Sequence, residues 1–291
     1  MTDEEIRKRY QRDGGPLGKN KLAIDKFIRM LHTHEKSSSK KIRDIVANLQ
    51  NLQNLEPDFI IFESEKVTGF MHQFAALRID IENSDDLVLS HEFGHGVLSM
   101  INGLELPDGY EETVKQARAN CISQENKEKF RQFVEYISDK DNTERTEAEK
   151  GPVSDIISSI FQYPGLSFAA TNKTCILPSY HDREYYFDEE KGIMKTDAIF
   201  DENFANFYAL VANNCAKELQ TLRELLGDDW MKEMEQQLEK AAKTIEMAKE
   251  KEPEKTAIEQ IKSTIMDVRE SQIQTEERSL ENDKSNQVER G

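Results

Sequence analysis

Between Ser84 and Gly103 the chain is apolar on nearly every face of one helix, yet two histidines, a glutamate and two glycines stand in its middle. Leu87, Val88, Leu89, Phe93, Val97, Leu98, Met100 and Ile101 cover most of that helix's circumference, so it has to be buried. Ser84 reads as its N-cap, with Asp85 and Asp86 in the first turn, and Asn102-Gly103 reads as its end. Burying His91, Glu92 and His95 is costly unless those groups are paired or bound to something. The fold has to supply what they pair with.

The pentad His91-Glu92-Phe93-Gly94-His95 narrows the choice. Residues four apart share a helix face, so His91 and His95 can present two imidazoles to one metal ion. Glu92 lies beside that face, where a carboxylate takes a proton from water rather than serving as the next ligand. Gly94 and Gly96 each cost about 1 kcal/mol against alanine inside a helix, which points to close approach by another backbone or by a substrate. The bland alternative is a buried helix whose polar residues meet ordinary hydrogen-bond partners.

A catalytic zinc usually has three protein ligands and a water. The extended H-E-x-x-H-x-x-G-x-x-H pattern is absent, because Leu98 and Ile101 occupy its glycine and third-histidine positions. Glu202 is the preferred third ligand. Asp201 reads as a helix N-cap, and Phe204, Phe207, Tyr208, Val211, Cys215, Leu219 and Leu222 recur at helical spacing after it. The face carrying Glu202 continues through Ala205, Asn206, Ala209 and Ala212, small enough to pack closely against the pentad helix. Asn206 is placed to orient a ligand. His181 is the second choice, followed by Glu111 or Glu112, and a plain capping acid is the bland reading of Glu202.

HEFGH together with Glu202, Phe204, Ala205, Phe207 and Tyr208 resembles the glutamate-ligand (gluzincin-like) class of zincin metallopeptidases, in the form of the anthrax lethal factor catalytic domain. The resemblance implies an α+β fold: a zincin-like domain with a small mixed sheet, the pentad helix and mainly helical additions. It implies Zn2+ as cofactor, with His91, His95 and Glu202 as ligands and Glu92 as general base. The expected reaction is hydrolysis of a peptide bond in a protein substrate. The likeness covers two short segments, and the interval from His95 to Glu202 is long for the class. The class's proton-donating tyrosine, seven residues before the glutamate, falls on Lys195; Tyr185, Tyr186 or His181 would have to replace it.

Strands are expected at Asp58–Glu63 and Phe74–Ile81. The second alternates, with Leu77, Ile79 and Ile81 on one face and Arg78 and Asp80 on the other. It is read as a half-exposed strand to which an extended peptide could add, with a plain half-buried strand as the favoured reading of this segment taken alone. Polar helices are expected at Lys21–His34 and Lys40–Asn54, with His32 and His34 on the surface. The division is an N-terminal helical segment (1–55), a catalytic domain (56–227), C-terminal amphipathic helices (228–270) and a disordered tail (271–291). In the third stretch, Trp230, Met231, Met234, Leu238, Ala242 and Ile245 form a stripe that either docks on the domain or meets a partner.

A net charge of −17 over 291 residues argues against a nucleic-acid partner and for a basic or neutral protein surface. Cys121, Cys175 and Cys215 are odd in number and scattered, which points to a reducing compartment. No membrane span and no classical signal peptide is expected. The Glu276–Glu281 cluster resembles the glutamate-rich C-terminal signals of type IV-secreted bacterial effectors. That likeness implies delivery into a host cytosol and a host protein, such as cytoskeletal actin, as substrate. Two other classes stay open: a metal-dependent hydrolase acting on something other than a peptide, and a helical adaptor with an accidental pentad.

Overall fold

The computed structural model describes residues 1–13, 19–55, 59–65, 67–71, 75–102, 106–139, 142–162, 187–188, 193–194 and 196–248. Ile60–Ser64 (β1), Gly69–Met71 (β2) and Ala76–Asp80 (β3) form a three-stranded sheet in the order β1-β3-β2. β1 runs parallel to β3, with Ile60 opposite Ala76 and Ser64 opposite Asp80. β2 runs antiparallel to it, with Gly69 opposite Arg78 and Met71 opposite Ala76. The sheet is therefore mixed. A further pair, Phe187–Asp188 (β4) and Ile193–Met194 (β5), forms a short antiparallel ladder.

The expectation for residues 74–81 needs correction. β3 is the central strand, both its edges are occupied, and four of its five residues are buried. Asp80, expected on an open face, is instead buried and accepts from the backbone N–H groups of Glu82 and Asn83 and from the Asn83 amide. Those bonds hold its carboxyl below the usual range. Alternation in a sequence records which faces are apolar but not which strand lies at the edge. Among the described residues, the edge strand of this sheet that packs beside the pentad helix is β2.

The remaining elements are helical. Thr2 caps α1 (Asp3–Tyr10) in a reciprocal capping box with Glu5. There follow α2 (Lys21–Glu35), α3 (Lys40–Ala47), α4 (Leu52–Leu55), α5 (Asp86–Asn102), α6 (Tyr110–Cys121), α7 (Lys127–Ser138) and α8 (Ser154–Gln162). A single π-helical turn at Glu149–Val153, holding Pro152, leads into α8. The chain continues through α9 (Thr196–Ala212), α10 (Ala216–Leu226) and α11 (Asp228–Met247). No described helix is long and apolar enough to cross a membrane.

One hydrophobic cluster runs through these elements, from Ile6 to Ile245. The stripe on α11 docks into it: Trp230, Met231, Met234, Leu238, Ala242 and Ile245 are all buried, facing chiefly α3 and α6. Residues 249–270 and the tail lie outside the described residues. α2 is more buried than its polar sequence implies, with Ile24, Phe27, Ile28 and Leu31 in the core. His34 is fully buried too, whereas the exposed His32 contacts Asp3 and Glu35 at the surface. The partner that buries His34 is Ser90 on α5, remote in sequence.

Candidate metal centre

α5 and α9 pack against each other more extensively than any other pair of described elements. The glycines and alanines permit this. A Cβ on Gly94 would lie 3.0 Å from the Ala205 Cα and 3.2 Å from the Ala205 carbonyl oxygen, so the two backbones nearly touch. A Cβ on Gly96 would meet the Phe70 ring of β2 at 2.9 Å. Each glycine is therefore explained by a close neighbour. Below the contact, Phe27, Phe93, Tyr208 and His34 form a chain of edge-on and tilted rings with centroids 5.5 to 6.1 Å apart.

The start of α5 differs slightly from expectation. Asp85, not Ser84, caps it by accepting from the Val88 N–H at 2.8 Å. Ser84 is turned toward Thr68, and its carbonyl accepts from Lys26 Nζ at 2.8 Å. Arg29 and Thr33 of α2 hold the Asp86 carboxylate at 3.1 and 2.9 Å.

At the α5–α9 contact the structure brings His91, His95 and Glu202 together, one ligand atom from each lying within 4.8 Å of the other two. The two Nε2 atoms are 3.1 Å apart. Glu202 reaches both, with Oε2 at 3.5 Å from His91 Nε2 and Oε1 at 3.6 Å from His95 Nε2. Glu92 is not a member of this group. Its Oε2 accepts from the Phe70 backbone N–H of β2 at 2.8 Å, which fixes the carboxylate against the sheet edge.

Asp201 is the residue that sequence reasoning misplaced. Because α9 starts at Thr196, Asp201 lies inside the helix rather than at its cap. Its Oδ1 stands 3.0 Å from His95 Nδ1, on the far side of the ring from Glu202. A carboxylate there fixes the tautomer and the ring orientation, leaving Nε2 toward the group. Burial opposes a positive charge on His95, but Asp201 and Glu202 outweigh it and hold its pKa up at about 10. The adjacent acids Asp201-Glu202 were the available signal, since successive helical residues point about 100° apart and both can face one neighbour.

The other candidates separate clearly. Glu111 and Glu112 are exposed in the first turn of α6 and do not join the group. His181, Tyr185, Tyr186 and Lys195 lie outside the described residues. Asn206 is buried close by, but it does not hydrogen-bond either histidine: its amide nitrogen has no partner among the described residues. It lines a cleft of about 360 Å³ that opens beside His91, Glu92 and Glu202. The opposite wall is the π-helical turn and the start of α8, with Lys150, Gly151, Pro152 and Asp155.

Two imidazoles and a carboxylate, converging from two helices and backed by a second acid, are a donor set suited to a divalent ion of the zinc type. Glu202 and Asp201 are 4% and 6% exposed, and a bound cation would offset that buried negative charge. No family model matches the sequence, and neither a curated protein nor a solved structure matches the chain.

Proposed function

We propose that this chain is a zinc-dependent endopeptidase of zincin type, in which His91, His95 and Glu202 hold the ion and Glu92 is the general base. The observation that carries this reading is the convergence of the three ligand atoms, with Glu92 fixed next to them but outside their group. An accidental pentad would give no reason for Glu202 to reach both histidines and for Asp201 to back His95.

When bound, a divalent ion such as zinc polarises a carbonyl oxygen and makes water nucleophilic near neutral pH. The chain's own groups do the rest. Phe70 N–H holds Glu92 Oε2, and the carboxylate takes the proton of the attacking water and returns it to the leaving amine. Asp201 keeps the His95 ring from turning. The cleft that runs past His91 admits an extended chain, and a net charge of −17 favours a basic or neutral protein partner.

Metal analysis of the purified full chain, followed by comparison of lysate peptides after treatment with wild type or Glu92→Ala, tests the reading. The expected result is about one equivalent of zinc and new protein termini with wild type alone. Absence of bound metal would favour an adaptor. Bound metal without any protein cleavage would favour a hydrolase acting on another bond.

A further inference from the structure

We infer that Gly151 is a size-determining position for the substrate: its missing side chain leaves room beside the His91–His95–Glu202 group for a bulky apolar group. The inference rests on the proposed hydrolysis at that group, and it names a residue that the hydrolytic step itself does not use.

Gly94 and Gly96 each have a structural reason, because the main chain of α9 and the Phe70 ring occupy the space a Cβ would need. Gly151 has no such reason. It lies half-buried inside the π-helical turn, where glycine is a poorer choice than any residue but proline. Its backbone is not left-handed; among the described glycines only Gly109 and Gly227 have positive φ. A Cβ built on it would meet no described atom within 4 Å. Neither backbone nor packing asks for glycine here. Its place in the molecule does: Gly151 lines the cleft together with His91, Glu92 and Glu202, so the space a side chain would take belongs to the cleft.

The turn that carries Gly151 is held firmly from outside the cleft. Glu149 is 4% exposed and accepts from the Thr146 N–H at 2.9 Å, from Lys217 Nζ at 3.0 Å and from the Tyr136 hydroxyl at 3.1 Å. Tyr136 belongs to α7 and Lys217 to α10, so two further helices pin the turn. Pro152 and Val153, which follow Gly151, are buried. A side chain added at 151 would therefore narrow the cleft rather than push its wall back. Leu87, Val88 and Pro152 also line this space, and Val88 is 41% exposed. Apolar surface left in water beside a reaction centre is covered best by an apolar group, and the open position at 151 admits a large one.

The test is calorimetric binding of hydroxamates of graded size to the zinc-loaded full chain, beside urea unfolding of the metal-free chain. Acetohydroxamate needs only the metal, whereas naphthylacetohydroxamate must also fit the cleft. On wild type the naphthyl probe should bind about tenfold more tightly, since it covers apolar surface. Gly151→Val should abolish that preference and leave acetohydroxamate within about twofold of wild type. Gly151→Ala should reduce the preference in part and, with no close contact to strain, should raise the urea midpoint. Absence of a size preference in wild type overturns the inference, as does a preference that survives Gly151→Val or a loss that falls on both probes alike. So does a lower urea midpoint in Gly151→Ala, because the fold itself would then require glycine. Should Gly151→Val fail to fold, Gly151→Ala decides. A chain that takes up no zinc overturns the inference and the proposed function together. Size selection at position 151 in a chain that cleaves no protein keeps the inference and discards the endopeptidase reading.

Discussion

Replacing Gly94 by alanine adds one methyl group where two helices meet backbone to backbone. By helix propensity alone the change should stabilise α5 by about 1 kcal/mol. The new Cβ, however, would lie 3.0 Å from the Ala205 Cα, 3.1 Å from the Tyr208 Cβ and 3.2 Å from the Ala205 carbonyl oxygen. Two of these three are main-chain atoms of α9, so no side chain can rotate away, and the helices must separate by a few tenths of an ångström. Overpacking of this kind costs about 1–3 kcal/mol, leaving a net loss of about 0–2 kcal/mol. The larger effect falls on the centre. Ala205 is three residues from Glu202, and Gly94 adjoins His95, so the separation moves the carboxylate away from both imidazoles. Ligand distances are held to about 0.2 Å in such sites, and displacement by more than that should weaken zinc about 10–100-fold. Chelator competition measures the affinity, and urea unfolding of the metal-free chain measures the stability. Gly96→Ala is the internal comparison: its Cβ meets the half-buried Phe70 ring, which can turn, so zinc should stay bound. If Gly94→Ala binds zinc as tightly as wild type, the α5–α9 approach does not set the geometry of the group.

Glu92→Gln should retain zinc within a few-fold but lose about 10²–10⁴ in turnover, because it keeps the carbonyl that accepts from Phe70 and removes the base; loss of metal in this variant would make Glu92 a ligand. Asp201→Asn should weaken zinc about 10–100-fold, and Glu202→Ala should weaken it more, while Glu111→Ala leaves it unchanged; chelator competition reads all three. Burial holds His34 neutral, with a pKa lowered from 6.5 to about 3, so its stabilising contribution is complete above the unfolded value and is lost as pH falls below it. The metal-free chain should lose about 1 kcal/mol between pH 6.5 and 5, because His95, charged when folded and only half protonated when unfolded at pH 6.5, offsets a small part of the His34 loss; His34→Gln should remove that loss from the urea-unfolding profile.

What the sequence disclosed, and what it withheld, divide along one line. The faces of α5 and α9 were legible because helical spacing alone decides which side chains share a side: His91 with His95, Glu202 with Ala205, Asn206 and Ala209. Much that depended on a distant partner was not. Three residues, Gly69–Met71, are too few to show a period, so β2 and its grip on Glu92 went unread, and its edge position passed to β3. Asp201 has the composition of a cap, and only the earlier start of α9 at Thr196 turns it toward His95. His34 sits in a polar sequence and is buried because Ser90 waits for it. Its Nε2 lies 2.8 Å from Ser90 Oγ, its Nδ1 3.3 Å from the Tyr208 hydroxyl, and Asn213 donates to the same Ser90 oxygen at 2.9 Å. Ser90 in turn donates to the Asp86 carbonyl, and Arg29 and Thr33 hold the Asp86 carboxylate. The residues around His91 therefore fix the pentad helix on two sides: Gly94 against α9, and Ser90 with Asp86 against α2. A centre whose ligands tolerate only small displacements needs its helix held in this way, which makes α2 part of the scaffold of the site.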